Sequence, residues 1–112
     1  MPDLPMDLDP VVQSTLRELM QDDYPLLLDT FIQDGKKRLA TLASSLERQH
    51  WDTFRQAAHS FKGSCGNMGA EALQYACERA EQAGLHGDAE VASQCYLEMR
   101  ELFQRVQLRL ER

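Results

Sequence analysis

Along most of this chain apolar side chains return every three or four positions, and no sustained apolar/polar alternation is present. No hairpin turn of the Asn-Gly or Asp-Gly kind stands between alternating runs. The pattern predicts helices and no strands. A short first helix spans about Asp9 to Met20, with Val12, Leu16, Leu19 and Met20 facing inward. "QDDYP" interrupts it; Asp22 or Asp23 is placed to cap a second helix, and Pro25 suits that helix's first turn, where a missing N–H does no harm. The second helix runs to about Arg48 on a stripe of Leu28, Phe31, Ile32, Leu39, Leu42 and Leu46. Gly35 falls on that stripe and predicts a close helix contact.

A third helix starts at Asp52 or a neighbour and reaches "NMG" at Asn67 to Gly69. A fourth covers Ala70 to about Gly84, with Leu73, Ala76, Cys77 and Ala80 inward. After the turn "GLHGD", Asp88 can cap a last helix carrying Val91, Ala92, Cys95, Met99, Leu102, Phe103, Val106 and Leu110. Short connections between long amphipathic helices place them antiparallel. The expected fold is all-α: an antiparallel up-down four-helix bundle with a short additional N-terminal helix. A chain of 112 residues makes one domain, 1–112. "MPDLPMDLDP", with three prolines and three aspartates, is a poor helix interior, so residues 1–8 are expected to form a flexible N-terminal segment.

Composition narrows the partners. The net charge of −6 gives no counterion-release advantage on nucleic acid and no basic cluster for an anionic membrane. No apolar run approaches the roughly 20 residues of a membrane span, and the N-terminus lacks the basic flank and apolar stretch of a signal peptide. Cys65, Cys77 and Cys95 are odd in number and helical in setting, which points to reduced thiols in a cytoplasmic protein. They lack zinc-ligand spacing, so no metal site is expected. The partner is therefore another protein or a small molecule.

The third helix holds the odd feature, "AAHSFKGSCGNMGAEAL". With Phe54 at zero on a helical wheel of about 100° per residue, Ala58, Phe61, Cys65 and Met68 fall within about 40° of it. His59 lies at about 140°, Gly63 about 40° beyond it and Gly66 about 20° before it. Lys62 and Arg55 border that outward face. Gly69 reads as a cap, but an exposed Gly63 inside a helix costs roughly 1 kcal/mol relative to alanine. That cost makes sense if something must approach the backbone closely. A histidine beside bare surface with two cations nearby suits a bulky anion and a docking partner. His50 and His86 sit in connections and read as solvated loop residues.

The stretch resembles the signature of histidine-containing phosphotransfer (HPt) domains, of the stand-alone bacterial type. Ala58, His59, Lys62, Gly63, Ser64, Gly69, Ala70 and Leu73 stand in the motif's places. Cys77, Glu81 and Gly84 fit the family's next helix, and "LLLDTFIQDGKKRLATLASSL" is similar to its second. The resemblance implies a phosphorelay in which His59 is the phosphoacceptor, Lys62 offsets phosphate charge and Gly63 leaves room for the phosphoryl group. Phosphate would come from the receiver domain of a hybrid sensor kinase and pass to the receiver of a response regulator. The chain itself would bind no cofactor; Mg²⁺ belongs in the partner receiver. A free imidazole titrates near 6.5, so much of it is a neutral nucleophile at cytosolic pH.

No nucleotide-binding glycine loop is present, and Ser60 stands where dimerising histidine kinases place an acid. Both features fit a phosphocarrier rather than an autonomous kinase. Arg55, Gln56, Gly63, Gly66 and Asn67 surround His59 and are candidate partner contacts. Leu26 lies off the core stripe and Leu27 at its edge, either as an exposed patch for a receiver helix or packed under the first helix. A monomer is expected. A helical adaptor that binds a receiver without phosphoryl transfer remains the alternative; a metal-binding bundle lacks the paired Glu-x-x-His ligands.

Overall fold

Helix boundaries follow the punctuation of the sequence. A computed structural model describes residues 5–111. Helix α1 is Pro10–Met20, capped by the Asp9 side chain, which accepts from the Val11 N–H at 2.9 Å. The residues after it, Gln21–Asp23, form one 3₁₀ turn, and α2 is Tyr24–Arg48 with Pro25 in its first turn. Neither Asp22 nor Asp23 makes the expected side-chain cap, because the 3₁₀ turn carries the chain straight into α2. Helix α3 is Trp51–Met68, uninterrupted at Gly63 and Gly66. Gly69 ends it at φ +75°, and the Ala70 N–H returns to the Cys65 carbonyl at 2.9 Å. Helix α4 is Glu71–His86, closed by Gly87 at φ +64°. Helix α5 is Ala89–Leu110, capped by Asp88, which accepts from the Val91 N–H at 3.1 Å.

The four long helices form the expected antiparallel bundle. Each packs on two others: α3 on α2 and α4, and α5 on α4 and α2. Phe54, Phe61, Leu42, Leu73, Met99 and Val106 are fully buried between them. The Phe103 ring lies 6.1 Å from that of Phe31 and 5.9 Å from that of Phe61, so three helices share one aromatic cluster. Cys65, Cys77 and Cys95 are free thiols buried in this core.

Gly35 makes the close contact its position predicts. A Cβ there would overlap the Phe103 ring, 2.6 Å from Cζ. The ring packs against its two aromatic neighbours, so shifting it disturbs that cluster. Gly35→Ala is expected to gain about 1 kcal/mol of helix propensity but to lose about 1–3 kcal/mol to overpacking. A net destabilisation of about 1 kcal/mol should appear as a lower urea midpoint; an unchanged or higher midpoint would show that the ring yields.

Three further expectations differ from the structure. Leu19 and Val91 are exposed, 74% and 41% respectively, rather than inward. For α1 the reason is Gln13, which is buried and donates to the Met68 carbonyl at 2.7 Å while accepting from the Tyr24 hydroxyl. That bond turns the buried face toward Gln13, about 120° around the helix from Leu19. Val91 stands in the first turn of α5, at the rim of the bundle.

The third difference lies at the N-terminus. Residues 1–4 fall outside the described range, but the rest of the segment expected to be flexible is tied down. The Ala72 N–H donates to the Met6 carbonyl at 2.8 Å, Asp7 pairs with Arg105 at 2.6 Å, and Leu8 packs on the core. Among the described residues, no helix is long and apolar enough to cross a membrane.

Candidate functional site

The α3–α4 contact is lined by small residues. Ala57, Ala58, Ala76, Ala80, Ala83 and Gly84 are all buried, which lets the two helices approach closely. A Cβ on Gly84 would lie 3.0 Å from the Phe54 ring and 3.4 Å from the Arg55 Cα. Side chains on the rim of this narrow interface can therefore span it. His59 and Lys62, on the rim of α3, meet Glu81 and Glu78, three residues apart on α4.

The His59 Nδ1 lies 2.9 Å from Glu81 Oε2, and the Lys62 ammonium lies 2.7 Å from both Glu81 Oε1 and Glu78 Oε2. Exposure grades across the group: the His59 side chain is 65% exposed, that of Lys62 26% and that of Glu81 16%. Burial pulls the Glu81 carboxyl up, but hydrogen bonds from Lys62 and His59 outweigh it and hold the carboxyl below the usual range. Hydrogen bonds to Glu78 and then Glu81 raise Lys62 above the ordinary lysine value.

This arrangement selects a tautomer. An ionised carboxylate only accepts, so the neutral His59 ring carries its proton on Nδ1 and its lone pair on Nε2. The nitrogen with the available lone pair is the one that Glu81 does not hold.

Glu81 also has a stability consequence with a definite sign. Its folded carboxyl titrates below the unfolded value of about 4.3. The stability it contributes is therefore complete above that value and is lost as pH falls through the lower folded value. Glu81→Gln should lower stability by about 1 kcal/mol at neutral pH. The gap in urea midpoint between the two proteins should close below about pH 4; a constant gap would mean that the Glu81 charge is not its source.

The surface at Gly63 is open: a Cβ built on it would have nothing within 4 Å. Gly66 is different. Its Cβ would lie 3.0 Å from the Gln74 amide nitrogen, so the space above it is filled by a side chain from α4. Gly66 accommodates packing within the molecule rather than clearing an approach.

The remaining candidate contacts fall on two sides of α3. Arg55 and Gln56 line a hollow with His59, Ser60 and Glu81, and the Arg55 guanidinium leans toward Asp52 at 3.8 Å. Asn67 lines a second groove, between α2 and α3, with Leu27, Phe31, Arg38 and Ser64. Leu27 is half-buried against the core, whereas Leu26 is 65% exposed and is not packed under α1. His50 and His86 are exposed and make no side-chain ion pair among the described residues.

Sequence reasoning missed the contacts that Glu78 and Glu81 make with His59 and Lys62. The available signal was an acidic pair three residues apart, opposite a His-x-x-Lys pair with the same spacing. Among the described residues, no group of three or more His, Cys, Asp or Glu side chains could hold a metal ion.

Comparison with known proteins places this geometry in context. The family model described as "Hpt domain" matches residues 26–109. The crystal structure of histidine-containing phosphotransfer protein B from Pseudomonas aeruginosa superposes with a TM-score of 0.91 at 36% identity, over 94% of this chain and 91% of that one. A rice protein described as a histidine-containing phosphotransfer protein has a TM-score of 0.84 at 18% identity, over 93% of this chain and 78% of that one, a likeness of fold. A search of curated proteins gives no match.

Proposed function

The chain belongs to the Hpt domain family, and from that premise we propose that it carries a phosphoryl group on His59 Nε2 between two receiver domains. The donor is the phosphoaspartate of a hybrid sensor kinase's receiver, and the acceptor is the receiver aspartate of a response regulator. The observation that carries this reading is the pairing of an exposed imidazole, held at Nδ1 by Glu81, with the open surface at Gly63 one turn on.

The mechanism follows from that pairing. The Nε2 lone pair attacks the phosphorus of the partner's aspartyl phosphate; the N–P bond forms as the O–P bond breaks, and the partner's carboxylate leaves. The ring now carries positive charge, and its Nδ1 proton stays on the ring, facing the Glu81 carboxylate. Transfer onward is the reverse step on a second receiver. Phosphoryl transfer of this kind needs in-line positioning and charge stabilisation more than covalent help. The partner receiver supplies Mg²⁺ and the acidic pocket; this chain supplies a nucleophile of fixed tautomer. Arg55 and Gln56 on one side of α3, and Leu27 and Asn67 on the other, frame the face that a receiver would cover, with Leu26 exposed near the start of α2.

The test is transfer from phosphorylated receiver domains to the full chain. The expected product is an acid-labile, alkali-stable label on His59. Stable binding of a receiver with no transfer in either direction would leave a helical adaptor in place of a carrier.

A further inference from the structure

Phosphorylating the neutral His59 ring places roughly two negative charges on the phosphoryl oxygens against one positive charge on the ring, a net gain of about one negative charge in a cluster that is already negative. With the imidazole neutral, Lys62, Glu78 and Glu81 sum to one negative charge. Lys62 is the cation built into that cluster, and both carboxylates hold it at 2.7 Å. Arg55 lines the same hollow but leans toward Asp52. To neutralise a phosphoryl group, Lys62 has to loosen its grip on one or both glutamates.

The two glutamates are not equivalent. Glu81 also holds the histidine ring and is mostly buried. Glu78 bonds only Lys62 among the described residues, and its side chain is 46% exposed.

We propose that Glu78 tunes how readily the protein gives phosphate away: by competing for Lys62 it withholds that cation from the phosphoryl group and raises the transfer potential of phosphorylated His59. The proposal rests on the carrier reading and adds to it a positioning residue that acts through Lys62. It makes the site a donor rather than a store. A group that merely oriented Lys62 for reaction would change the forward and reverse rates together and leave their ratio alone. A group that withholds charge compensation changes the ratio.

A small phosphoramidate donor reads that ratio without any partner protein. The His59 Nε2 attacks phosphorus, the donor's P–N bond breaks, and ammonia leaves with the bonding pair and its own three hydrogens. The reaction runs backward when ammonia is added, so the equilibrium fraction of phosphorylated full-length chain can be approached from both sides by intact mass. Glu78→Gln keeps the size and an acceptor oxygen but removes the charge. It should raise the equilibrium constant for phosphorylation roughly threefold to tenfold. Glu78→Asp, which keeps the charge, should stay near the unsubstituted protein. Glu47→Gln, on an exposed part of α2, controls for net charge and should shift the constant less than about twofold. An equilibrium constant that is unchanged or lower in Glu78→Gln, with rates altered or not, overturns the proposal. Absence of label on His59 in the unsubstituted protein would overturn the carrier reading itself, and this proposal with it.

Discussion

His59→Gln is expected to abolish the phosphoryl label completely while leaving the melting transition close to that of the unsubstituted protein. The side chain is 65% exposed and its hydrogen bond is the one to Glu81, so little packing is at stake. Glutamine is a good helix former, and a surface substitution of this kind stays within about 0.5 kcal/mol. Chemically the change is total. A carboxamide nitrogen has no available lone pair, so nothing at this position can displace an aspartyl phosphate. Circular dichroism checks the first half and labelling from a receiver or a small phosphoramidate checks the second. A label surviving on this variant would have to be mapped. Found on His50 or His86, both exposed, it would remove the basis for placing the chemistry on α3.

Gly63→Leu should separate stability from function in opposite directions. The helix is regular through Gly63 and a Cβ there has nothing within 4 Å, so a leucine starts out into open space. It should stabilise the protein by about 0.5–1 kcal/mol, the helix-propensity gain. The same side chain stands one turn beyond His59, on the face that a receiver would cover in the proposed reading. Displacing an approaching phosphoaspartate by about 1 Å can cost on the order of 100-fold in rate, so transfer from a receiver should fall by about that factor or more. A small phosphoramidate needs far less room and should label the variant within a few-fold of normal. A higher urea midpoint together with lost receiver transfer and retained small-donor labelling is the expected triple result. Unimpaired receiver transfer would mean that the partner approaches His59 from another side.

These two residues were visible in the chain because each depends on local geometry. A helical wheel places His59 opposite Phe54 and Phe61, and an exposed glycine inside a helix is a cost that the linear sequence already displays. Gly35 was legible for the same reason, since a missing side chain on a core stripe has to face something close. The remainder depends on which helix lies beside which, and at what rotation. Glu78 and Glu81 look like ordinary solvated acids until α4 is laid against α3 at the spacing that alanines and Gly84 permit. Gly66 shares the face of Gly63 on the wheel, but Gln74 reaches across from α4 to cover it. Gln13 is polar and so reads as outward, yet its amide finds the free carbonyl at the end of α3, and that bond rotates Leu19 into solvent.

The short turn at Gly69 and Ala70 joins α3 directly to α4, so His59, Lys62, Glu78 and Glu81 all lie in one continuous helical hairpin. Part of the surface beside it, with Leu26, Leu27 and Arg38, is contributed by a different helix, α2. In the proposed reading, part of the address is thus written in a stretch of chain separate from the chemistry. Exchanging the outward residues of α2 with those of another member of the family should redirect the protein to a new partner without disturbing the His59–Glu81 pair. Relay pathways built from such parts can diversify by rewriting one helix while the reacting hairpin is inherited whole.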